Sequence, residues 1–145
     1  MNKTDSLYGK FEGCIVDFSL ERYPGDYWYD CGILEATDVL REFDEKDWGL
    51  LLDDLEDKGV FWKKRLVECL GDLKILCEIE IILRVISTDD EDLQTCCFDT
   101  LRMLDLSGVD ERTREALSSR AEYFLGEASL PVKKILEDFV ERLNG

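Results

Sequence analysis

ILCEIEIILRVI, residues 75 to 86, is the most apolar run in a chain of 145 residues, and it poses a choice between a membrane helix and a core helix. A bilayer helix needs about 20 mostly apolar residues. This run is far shorter and carries Glu78, Glu80 and Arg84, so nothing in the chain reads as a span. The segment from 73 to 86 reads instead as a helix of a water-soluble fold. Its apolar residues at 75, 76, 79, 82, 83 and 86 fill one face, and those at 77, 81 and 85 add a second. Two apolar faces call for neighbours on two sides, which places the helix in the middle of a stack.

The same helical period continues on both sides. ILEATDVLREF (33 to 43) has apolar residues at intervals of three and four, and DWGLLLDDLEDKG (47 to 59) sets Trp48, Leu51, Leu52 and Leu55 on a stripe that stops at Gly59. FWKKRLVECLG (61 to 71) aligns Phe61, Trp62, Leu66, Cys69 and Leu70 and ends at Gly71, so that both glycines read as C-terminal caps. Trp48 and Trp62 sit at stripe positions and are expected in the core. STDDEDLQTCCFDTLRMLDLSG (87 to 108) opens with Ser87 or Thr88 as N-cap and acids in its first turn. VDERTREALSSRAEYFLGEA (109 to 128) is capped by Asp110, and Pro131 suits the first turn of a last helix ending near Leu143.

The expected fold is therefore all-α: about seven antiparallel helices over 33–145, preceded by an irregular segment over 1–32, in a single domain spanning 1–145. Within the first segment, Cys14, Val16 and Phe18 alternate only weakly with their neighbours, giving one short strand or none. Shifting WKKRLVECLGDL (62 to 73) by 31 positions lays it on LQTCCFDTLRML (93 to 104), matching Leu66 with Cys97, Leu70 with Leu101 and Leu73 with Leu104. With the helix between them, this pair resembles a HEAT-type unit of an α-solenoid, although its spacing is shorter than the usual roughly 40 to 47 residues. Any two amphipathic helices can align this way.

The chain has no histidine, which removes the commonest general base, the usual triads and most zinc sites. Six cysteines stand at 14, 31, 69, 77, 96 and 97 without a CxxC pair, so they read as reduced, structural residues of a cytoplasmic protein. The start MNKTDSLYGK lacks the pattern of a secretory signal. No phosphate loop, dinucleotide loop or nucleophile elbow occurs. DDEDLQTCCFDT (89 to 100) imitates the start of a calcium loop, but Gln94 replaces the turn glycine and Thr100 the closing glutamate. The expectation is a non-enzyme with no cofactor and no metal.

Charge is the stronger signal. The formal net charge is -16, and it is local. Residues 35 to 57 hold ten acids against Arg41 and Lys46, residues 87 to 110 hold seven against Arg102, and the segment between is mildly basic. Such a field repels nucleic acid and anionic membranes, and it speeds the capture of a basic protein. YPGDYWYD (23 to 30) adds four aromatic rings in eight positions. Pro24-Gly25 suits the centre of a type II turn, which would present Tyr23, Tyr27, Trp28 and Tyr29 close together beside Asp26 and Asp30. Tyrosine and tryptophan anchor interfaces when flanked by steering charges, although part of the cluster can equally cap the core. The candidate partner-binding residues are thus Tyr27, Trp28, Tyr29, Asp30, Asp53, Asp54, Asp57, Asp89, Asp90 and Asp92; the acids can also simply solvate outer helix faces.

The run WGLLLDDLEDKGVFWKKRLVECLGDLKILCEIEIILRVISTDDEDLQTCCFDTL, residues 48 to 101, resembles the small acidic all-helical immunity proteins of bacterial polymorphic-toxin and contact-dependent inhibition systems. The resemblance rests on W-x-LL, an acidic turn, W-K-x-R-L with C-L-G-D, and an apolar helix ending at S-x-D-D. It implies a cytoplasmic protein that binds a cognate toxin domain, often a basic nuclease, and blocks its active site or substrate access; the expected state of the chain is a monomer. Beside it stands a helical-repeat adaptor or regulator that binds an endogenous basic protein.

Overall fold

Ser6 opens the first helix. Its hydroxyl accepts from the Gly9 N–H at 3.0 Å, and Tyr8, Phe11 and Ile15 fall on one face and are fully buried. This helix, α1 (Leu7–Ile15), lies inside the segment expected to be irregular. Its single short stripe, broken by Gly9 and Gly13, gave too few periods to stand out. A 3-10 turn over Val16–Phe18 follows, where the sequence allowed a strand.

The computed structural model describes residues 6–126 and 128–144, and within them the chain is all-helical, without a strand. After α1 come α2 (Ile33–Arg41), α3 (Glu45–Asp54), α4 (Val60–Glu68), α5 (Leu76–Val85), α6 (Glu91–Leu101), α7 (Glu111–Leu125) and α8 (Leu130–Asn144), eight helices against the seven expected. Backbone helix also precedes α2: it starts at Asp26 and widens into a π-helical turn over Trp28–Gly32 before running on to Arg41. The aromatic residues expected to stand around a tight turn are thus carried on a helix. Gly25 does adopt φ +98°, as the Pro-Gly pair predicts, and the chain enters the helix directly after it.

Several ends differ from expectation for local reasons. Asp90, not Ser87 or Thr88, caps α6, taking the Leu93 N–H at 3.0 Å, while Thr88 accepts from the Asp90 N–H instead. Gly59 is extended and begins α4; α3 stops through a 3-10 turn over Leu55–Asp57. Gly71 has φ +122°, the left-handed region expected after a helix end. Asp110 caps α7 through the Thr113 N–H at 2.7 Å. Pro131 lies in the first turn of α8.

α1 packs against α2, α3 and α4, while α6 packs against α4, α5 and α8, and α7 against α8. One apolar cluster runs from Tyr8 to Leu143. Of the six positions matched in the internal alignment, Leu66, Leu70, Cys97, Leu101 and Leu104 are buried in it and Leu73 is half-buried. Trp62 is buried, whereas Trp48 is half-buried with its ring 4.8 Å from Phe43. α5 does not lie in the middle of a stack: Ile81, Ile82 and Val85 are buried, but Leu76 is largely exposed. α6 covers one of its faces, and the other lines an open groove together with Met103 and the segment that leads into α7.

Candidate functional site

The π-helical turn sorts the aromatic segment into an anchor and a surface. Trp28 points inward and is fully buried; Tyr27 and Tyr29 stay 54% and 44% exposed, and Tyr23 61%. The wide turn depends on Gly32, because a Cβ there would come 2.7 Å from Cε3 of Trp28. Phe18 lies 5.2 Å from the indole and stacks on Tyr27 at 6.1 Å, and the Tyr23 and Tyr29 rings are 6.3 Å apart.

Every hydroxyl of this surface meets a carboxylate. Tyr23 donates to Asp26, Tyr27 to Glu35 at 2.9 Å and Tyr29 to Glu68 at 3.0 Å. These contacts raise all three phenol pKa values, with the hydrogen bond leading for Tyr23 and Tyr27 and burial leading for Tyr29, so the rings stay neutral donors. Glu68 also accepts from the Trp28 indole at 3.1 Å and pairs with Nε of Arg65 at 3.1 Å. Arg65 is fully buried and reaches the Arg22 carbonyl at 3.1 Å, while its Nη1 has no hydrogen-bond partner among the described residues. A buried arginine held this way ties the 22–29 segment to α4.

Arg22 links this surface to the second acidic block. Its guanidinium reaches Asp90 at 2.8 Å and Asp92 at 2.6 Å and lies 5.2 Å over the Phe61 ring. That pairing, followed by the Leu93 N–H, holds the Asp90 carboxyl below the ordinary range. Asp90 is thus a helix cap and an internal clamp, Asp92 is shared with Arg22, and Asp89 is exposed.

The first acidic block belongs to another neighbourhood. Asp54 accepts from the buried Tyr8 hydroxyl of α1 at 3.0 Å, while Asp53 and Asp57 are exposed. Of the ten residues proposed from sequence, Tyr27, Tyr29 and Asp30 are therefore exposed on one segment, Tyr29 lies beside Tyr23, and the adjoining Arg22 pairs with Asp90 and Asp92. Trp28 supports that surface from below. Sequence reasoning left Tyr23, Arg22 and Glu68 outside the candidate set. Tyr23 was legible as the residue before Pro24, whereas Arg22 and Glu68 reach the site only through tertiary contacts.

The cysteines are free thiols. Burial pushes the thiols of Cys69 and Cys96 up to about 12 and that of Cys77 up to about 11, and it raises Cys14 and Cys97 as well. Nucleophilic thiolate chemistry is disfavoured at all five. Among the described residues no group of three or more acids and cysteines is arranged to hold a metal ion, and no helix is long and apolar enough to cross a membrane. Comparison with protein-family models, curated proteins and solved structures finds no match.

Proposed function

We propose that this chain is a binding protein of the immunity type, a cytoplasmic monomer that neutralises a basic toxin domain by covering its active site or the path of its substrate. The observation that carries the reading is the tyrosine surface: Tyr23, Tyr27 and Tyr29 exposed together on one segment, each hydroxyl fixed on a carboxylate. Fixed aromatic side chains lose little conformational entropy on binding, and an acidic surround attracts a cationic partner. A nuclease cleft built for phosphates offers such a cationic surface. The absence of histidine and the protonated state of the buried thiols favour a binding role over catalysis.

The HEAT-like architecture is part of the same reading. α6 packs against both α4 and α8, and Arg120 of α7 donates to the Ile86 carbonyl after α5 at 3.0 Å. Contacts of this kind suit two layers of a short helical array. α1 to α3 do not repeat the pattern and serve as an N-terminal cap carrying the tyrosine surface.

The test is co-expression with the C-terminal domain of the protein encoded immediately upstream. Relief of its toxicity, together with a complex that survives purification, supports the immunity reading. A non-toxic domain, or toxicity that the chain fails to relieve, transfers the surface to an endogenous basic partner and the chain to the adaptor class.

A further inference from the structure

α5 carries apolar residues on two faces, and the fold covers one. Leu76, Ile79 and Leu83, with Ile75 and Met103, line a groove of about 800 Å³ between α5 and the segment that joins α6 to α7. Leu76 is 82% exposed and Met103 59%. The α5 wall, ten residues long, extends for about 15 Å. That length accommodates two to three turns of a docked helix.

The groove is built within the chain. Glu78 is fully buried, and its carboxylate accepts from the N–H groups of Gly71 at 2.6 Å, Leu73 at 3.3 Å and Ile75 at 3.4 Å. These bonds fix the bend over 71–75, in which Gly71 and Lys74 both take positive φ. A side chain that folds the preceding backbone around itself leaves little to order on binding.

Its rim is acidic. Asp72, Glu80, Asp105 and Asp110 stand against Lys74 and Arg142. Arg142 already donates to the Leu104 carbonyl at 2.6 Å. Asp72 and Glu80 each face an arginine, whereas Asp105 and Asp110 make no ion pair among the described residues. Backbone N–H groups of Ser107 and Thr113 hold those two ionised. A second copy of the chain would bring the same acids against them.

We propose that this groove is a second docking surface, taking the apolar face of a basic amphipathic helix from a partner protein. Apolar anchors at i, i+3, i+4 and i+7 would meet Leu76, Ile79, Leu83 and Met103, with flanking lysines or arginines at the acidic rim. The proposal is independent of the tyrosine surface and of the toxin reading.

The test uses a fluorescent peptide of about 15 residues with leucines at that spacing and lysines elsewhere, compared with a scrambled peptide of the same composition. With ¹³C in the methionine methyls, the chain reports from Met1 and Met103 alone. The helical peptide should shift the Met103 signal and bind at least about tenfold more tightly than the scramble at physiological salt. Leu76→Ser with Met103→Ser, both at exposed positions, should abolish that preference with unchanged circular dichroism, and Tyr23→Ser/Tyr27→Ser/Tyr29→Ser should leave it intact. Equal affinity for the two peptides, or a preference that survives the Leu76/Met103 double variant, overturns the proposal. So does a wild-type dimer that the double variant dissociates, which assigns the groove to a second copy.

Discussion

The Trp28 indole donates to Glu68 across 3.1 Å, beneath a surface on which Tyr29 donates to the other oxygen of the same carboxylate at 3.0 Å. One side chain of α4 thus fixes both the buried anchor and an exposed ring. Stability and binding should separate at this point. Trp28→Ala removes a fully buried ring and is expected to cost roughly 3 to 5 kcal/mol of unfolding free energy in urea titrations. Tyr23→Ser and Tyr27→Ser should stay within about 0.5 kcal/mol of wild type, since both rings are largely exposed. Equal losses for all three would place the tyrosines in the core.

Gly32→Ala is a sharper probe of the π-helical turn. In an ordinary helix this change stabilises by about 1 kcal/mol. Here the new methyl would collide with the Trp28 ring, so a loss of about 1 to 3 kcal/mol and an altered near-ultraviolet dichroism are expected. A gain in stability would show that the indole does not lie across Gly32.

Thiol reactivity should follow burial. Cys31 is exposed, whereas desolvation raises the pKa values of the other five. A brief iodoacetamide pulse at neutral pH, read by peptide mass spectrometry, should modify Cys31 first and the rest chiefly after denaturation. Early modification of Cys69 or Cys97 would contradict the packing described.

Acid stability has a defined sign. Asp44, Asp90, Asp105 and Asp110 all titrate below the ordinary value of 3.8 in the folded chain, three of them led by backbone N–H donors and Asp90 by Arg22. Their contribution is complete above the unfolded pKa and is lost as pH falls through the lower folded values. Helicity should therefore hold from neutrality to about pH 5 and decline below about pH 4. Asp90→Asn, which keeps a capping side chain but loses the charge facing Arg22, should weaken the acid dependence. An unaltered acid limb would mean that the Arg22 clamp adds nothing in solution.

The helical class was legible because the apolar stripes at 33–43, 61–71 and 132–143 repeat often enough to fix a period. α1 was not, since one stripe of three residues over nine carries too little periodicity beside two glycines. The two-faced pattern of 75–86 was read correctly as a pattern and wrongly as a position: sequence shows that a face is apolar, not whether the chain supplies its cover. Among the candidate residues, the aromatic cluster was legible as a cluster, but which ring faces inward was not: Trp28 is buried and Tyr27 and Tyr29 are exposed. The internal use of Asp90 emerged only when Arg22, 68 positions earlier, was placed against it.

The most direct measurement is growth of cells expressing the upstream-encoded C-terminal domain with either the wild-type chain or Tyr23→Ser/Tyr27→Ser/Tyr29→Ser. The wild type is expected to restore growth, whereas the triple variant, folded by circular dichroism, should fail and bind the domain at least about thirtyfold more weakly. Full rescue by the triple variant would remove the tyrosine surface from the interface, and a domain that harms no cell would contradict the neutralising function itself.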